Sequence, residues 1–81
     1  MTGVALAEQL RSIWQEALGV PVDGATDFFW EGGHSFMALD IVARSSQACG
    51  TDVPLRTLFD HPEFDDFVAA VTGRSENGAA A

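Results

Sequence analysis

The chain has 81 residues, 47% of them apolar, with four arginines, no lysine, twelve acidic side chains and a net charge of −8. That is one small domain, too short for a doubly wound sheet, a barrel or a two-domain cleft, and too apolar for a disordered acidic tail. A polyanion with no basic patch is unsuited to gripping nucleic-acid phosphates and suited to partner surfaces rich in arginine and lysine.

From Val4 to Leu18 the apolar residues Leu6, Leu10, Ile13, Trp14, Ala17 and Leu18 trace one stripe of a helix. Glu8, Gln9, Arg11, Ser12, Gln15 and Glu16 fall off the stripe and are expected to face water. Thr2 is the expected N-cap, and Gly19 and Pro21 stop the helix. The next segment, 19–34, is long for a loop in so small a domain, and its aromatics supply the reason. Phe28 and Phe29 are expected to plug the core and pin the loop as an ordered element, with Trp30 either packed inward or exposed.

A second helix is predicted from Ser35 to Ala48, with Gly50 as its stop. It is apolar on most faces, so in a domain this small part of that surface must be left for something else. Asp40 and Arg44 are spaced to pair on its surface. Pro54 opens a short helical turn through Leu55, Leu58 and Phe59, which His61-Pro62 ends. Pro62 is read as the first position of a last helix carrying Phe64, Phe67, Val68 and Val71, closed by Gly73. Residues 1–73 are thus expected to form a single domain and 74–81 a frayed tail. With no period-2 run long enough for a sheet, the fold class is an all-α bundle of three longer helices and one short one.

Cys49 is the single cysteine, so no internal disulfide forms, and with only His34 and His61 beside it no zinc site is expected. Cys49 reads as a half-buried filler, His61 as a cap or turn residue, and Asp65-Asp66 as helix-dipole partners. No signal peptide or apolar membrane span is evident, and a cytoplasmic monomer is expected.

The chemistry concentrates at Gly32-Gly33-His34-Ser35. Glycines allow positive φ and close approach, and a serine opening a helix stands where free amides and the dipole favour an anion. The geometry suits a serine that receives a phosphate-containing group, although serine is also an ordinary N-cap. Gly33-His34-Ser35-Phe36-Met37 only partly matches a hydrolase nucleophile elbow. The final glycine is replaced, the preceding strand is missing, and His34 is badly placed as a base.

The segment Asp27-Phe28-Phe29-Trp30-Glu31-Gly32-Gly33-His34-Ser35-Phe36 resembles the thiolation motif of peptidyl carrier proteins from nonribosomal peptide synthesis. Leu58-Phe59-Asp60-His61-Pro62 resembles the family's segment ahead of the last helix, and the likeness covers about residues 5–72. The resemblance implies a four-helix acyl-carrier-like bundle that is not itself an enzyme. It implies that Ser35 carries a 4′-phosphopantetheine arm, installed from coenzyme A by a Mg²⁺-dependent phosphopantetheinyl transferase. Gly32, Gly33 and His34 would shape the approach to Ser35. Trp30, Phe36, Met37, Asp40 and Ile41 would meet partners, namely an adenylation enzyme and tailoring or condensation enzymes. The arm's thiol would hold an aminoacyl or peptidyl group as a thioester. The short polar tail looks like that of a free-standing carrier. Thr26, Glu31 and Phe36 depart from the family's usual residues. The sequence is also compatible with two other readings: an acyl or aryl carrier of polyketide, fatty-acid or siderophore-like chemistry, and an unmodified helical interaction domain.

Overall fold

The computed structural model describes residues 2–72, and side chains from residue 5 onward. Four helices follow one another: α1 (Thr2–Leu18), α2 (Ser35–Cys49), α3 (Leu55–Asp60) and α4 (Phe64–Thr72). Among the described residues there is no strand, only an isolated antiparallel bridge between Asp27 and Glu63. The all-α expectation holds. Thr2, read as the cap, is instead the first residue of α1, while the stop at Gly73 and the tail at 74–81 lie outside what is described.

The stripe on α1 becomes the centre of the core. Leu10 and Trp14 are fully buried, with Leu6, Ile13, Ala17 and Leu18 packed around them. The Trp14 ring meets Phe28 edge-on at 6.0 Å, Phe64 edge-on at 5.1 Å and Phe67 tilted at 5.4 Å. One residue thereby ties α1 to the long loop and to α4 through geometries that aromatic quadrupoles favour. α1 also packs along α2. There the Arg44 guanidinium of α2 reaches Glu16 of α1 at 2.7 Å and Asp40 of its own helix at 3.6 Å. The hydrogen bond to Glu16 is the chief cause that raises the Arg44 pKa above its already high ordinary value.

The helices stop where local chemistry dictates. Gly19 donates its N–H to Gln15, and Gly50 takes the left-handed conformation (φ 72°) while donating to Ser46. Gln15 is half-buried rather than facing water, because its side-chain oxygen accepts from the Val22 N–H at 3.1 Å. Ser46 links α2 to the next segment: its hydroxyl donates to the Val42 carbonyl and accepts from the Val53 N–H. His61 ends α3 as expected, its N–H donating to Thr57.

The start of α4 differs from the sequence reading. Pro62 is not its first residue; the helix begins at Phe64. The reason is a clasp with the long loop. Phe28 donates its N–H to Pro62 (2.7 Å), Phe64 donates to Thr26 (2.8 Å) and Asp65 donates to Gly24 (3.0 Å). Extended pairing holds residues 62 and 63 out of the helix, and the first α4 amides find acceptors in the loop.

Candidate functional site

The loop that leads to Ser35 is built from nested turns. The Asp23 side chain accepts from the Ala25 N–H, and Thr26 Oγ1 accepts from the Asp23 N–H, both at 2.9 Å. Asp27 repeats the device: one carboxylate oxygen accepts from the Phe29 and Trp30 amides at 2.9 Å each. Backbone bonds from Glu31 to Asp27, Gly32 to Phe29 and Gly33 to Phe28 complete a compact turn.

Each glycine of the pair has its own requirement. Gly32 adopts φ 93°, a conformation that side-chain-bearing residues rarely tolerate. At Gly33 a Cβ would overlap the Phe28 ring. Phe28 is fully buried, so the loop can lie on the core only where position 33 has no side chain.

His34, not Ser35, is the N-cap of α2. It is extended (φ −145°, ψ 179°), and its side chain makes no capping bond. Ser35 is the first helical residue and is exposed. The first helical bond runs from the Ala38 N–H to the His34 carbonyl. The amides of Ser35, Phe36 and Met37 therefore have no acceptor within the helix, and its first turn holds no acidic side chain. An exposed hydroxyl beside free amides and a positive helix end is a favourable environment for a phosphodiester, which meets the demand of a phosphate-linked group. The His34 ring lies edge-on to Phe36 with centroids 6.5 Å apart.

Of the residues expected at a partner surface, three are exposed: Trp30 (86%), Phe36 (81%) and Asp40. Ile41 is fully buried and belongs to the core, so its assignment to the docking face is corrected. Met37 is half-buried and packs against the core rather than standing free. The helical period explains both. Ala38, Ile41, Val42 and Ser45 share the buried face, while Phe36, Leu39, Asp40 and Ala43 share the opposite, exposed one, with Met37 on the border. Leu39, half exposed, was missed although 100° steps along α2 reveal it. Phe29 is also corrected. It does not plug the core beside Phe28 but remains 45% exposed, stacked on Phe59 of α3. Among the described residues no three His, Cys, Asp or Glu side chains gather as a metal site.

The arrangement defines a class: a small helical domain that presents one hydroxyl at a helix start, beside an apolar and acidic face. Residues 8–71 match the model of the Phosphopantetheine attachment site family, and the chain belongs to that family. It is a carrier protein whose cofactor is covalently attached 4′-phosphopantetheine. It is 41% identical to Tyrocidine synthase 2 of Brevibacillus parabrevis over 89% of this chain. It is 40% identical to Phosphinothricin tripeptide synthetase PhsB of Streptomyces viridochromogenes over 98% of this chain. The chain spans only 2% and 7% of those two proteins, respectively. Its fold is similar to that of BlmI, a type-II acyl-carrier-protein from Streptomyces verticillus involved in bleomycin biosynthesis (TM-score 0.82, 26% identity, covering 89% of this chain and 88% of that one). It is also similar to a solved nonribosomal PCP domain (TM-score 0.68, 34% identity, covering 78% and 82%).

Proposed function

We propose that Ser35 is the residue modified with 4′-phosphopantetheine, and that the domain presents an aminoacyl or peptidyl group to the enzymes of nonribosomal peptide synthesis. The observation that carries this reading is the exposed Ser35 hydroxyl at the first position of α2, beside three amides with no helical acceptor. The likeness to two peptide synthetases supports the peptidyl branch over acyl or aryl chemistry. When attached, the arm supplies a thiol that holds the cargo as a thioester.

The chain's own residues do the rest. Gly32 supplies the positive φ of the turn and Gly33 lets that turn lie on Phe28, so the pair sets the loop that delivers Ser35, and the start of α2 favours the phosphodiester's negative charge. Trp30, Phe36, Leu39 and Asp40 form the face read by a phosphopantetheinyl transferase, an adenylation enzyme and condensation or tailoring enzymes. The domain supplies no catalytic group; it raises the effective concentration of a tethered substrate at several active sites in turn.

Incubation with coenzyme A and a promiscuous phosphopantetheinyl transferase tests the assignment. Intact mass should rise by one phosphopantetheine in the natural sequence and not in Ser35→Ala. No gain, or a gain that survives the substitution, refutes it. Loading of the modified protein with amino acids, aryl acids and malonyl-type substrates then separates the peptidyl branch from its rivals.

A further inference from the structure

We propose that Phe59 is a positioning residue for the attachment loop: from α3, its ring holds the turn at residues 27–33 and thereby sets where Ser35 stands. Phe59 and Phe29 are 41% and 45% exposed, yet they stack with centroids 5.8 Å apart and planes 28° apart. Phe29 meets Phe28 edge-on at 5.1 Å. Phe28 in turn fills the space where Gly33 lacks a side chain. Three rings thus run in sequence from α3 to the backbone two residues before Ser35.

The outer two rings lie outside the buried core. It is closed by their neighbours Phe28 and Leu58, both fully buried. The stack serves the loop instead. The Phe29 carbonyl accepts from the Gly32 N–H (3.1 Å) and the Phe28 carbonyl from the Gly33 N–H (2.9 Å), so holding the ring of Phe29 holds the turn that delivers both glycines. The inner side of that turn is fixed by Phe28 in the core. Its outer side is fixed by an aromatic on a six-residue helix with a single buried residue, Leu58. The position of α3 is therefore transmitted to the attachment hydroxyl through side-chain packing.

Solvent exchange of the Gly32 and Gly33 amides, measured by NMR on the unmodified protein, tests this. Phe59→Ala should accelerate both about two- to tenfold, the range that a stacked aromatic pair is worth, with the α1 amides unchanged. Phe59→Tyr, which keeps the ring, should restore the natural rates. Phe29→Ala should affect the same two amides, and the double variant should add little to either single change. Unchanged glycine exchange overturns the proposal. So does equal acceleration throughout α1 and α4, which would make Phe59 a general stabiliser. A second readout rests on Ser35 being the attachment residue. Transferase loading of Phe59→Ala should lose kcat with KM nearly constant, whereas a raised KM with unchanged glycine exchange makes Phe59 a mere transferase contact and overturns the proposal. Failure of the natural sequence to take up phosphopantetheine would strike the attachment reading alone, and glycine exchange would still decide the role of Phe59.

Discussion

A serine hydroxyl without a protein partner has opposite consequences at Ser35 and at Ser45. Ser35 is exposed, so water satisfies its oxygen. Because His34 is the cap, Ser35→Ala removes no capping bond. Stability should change by no more than about 0.5 kcal/mol in a thermal melt, while loading is abolished. Ser45 is fully buried in α2, and its hydroxyl finds no partner among the described residues. Ser45→Ala should raise stability by about 1 kcal/mol, since the cost of a buried, unbonded hydroxyl disappears. For a domain of this size that is a melting-temperature gain of about 4–8 °C. A third residue, Gly33, has no space for a side chain. Gly33→Ala should lose about 1–3 kcal/mol by overpacking against Phe28, and should slow loading as the loop shifts. The need for glycines ahead of a serine at the start of α2 was legible in the sequence. The ring beneath Gly33 was not, because two residues five apart reveal their overlap only once the turn is built.

At the scale of elements, α2 has one face buried in the core and the opposite face exposed, the one proposed above to meet partners. Phe36→Ala lies on the exposed face and should raise the transferase KM while leaving the melting temperature nearly unchanged. Ile41→Asp should unfold the domain, because it sets an unpaired charge in the core. Met37→Asp, on the border, should damage stability and loading together. Measuring KM and melting temperature on the three variants checks the division. Helix existence was readable throughout, from the stripe on α1, the glycine stops and the Phe64–Phe67–Val71 spacing on α4. The start of α4 was not, because a proline suits a first helical position locally and only the distant partner at Thr26–Phe28 pulls residues 62 and 63 into extended pairing. The burial of Ile41 was within reach of helical geometry. What hid it was an α2 apolar on nearly every side, which left the inward direction unmarked until Trp14 and α1 were in place.

For the whole molecule, a net charge of −8 on 81 residues means that the folded state works against its own repulsion. Raising ionic strength from a few millimolar to about 0.15 M, where the screening length is about 8 Å, should raise the melting temperature. The same salt should slow association with a basic partner, so the loading KM should climb as stability improves. Opposite responses in one titration would separate self-repulsion from partner attraction. The clasp between the loop and the segment ahead of α4 sets one more condition, this time on the order of events in the cell. The acceptors and donors that fix residues 24–28 belong to residues 62–65, which leave the ribosome only after the loop, α2 and α3 have been made. A nascent chain that has released only α1, the loop and α2 holds the serine but not the shape around it. On the assignment proposed for Ser35, a chain truncated before residue 62 should therefore take up no phosphopantetheine.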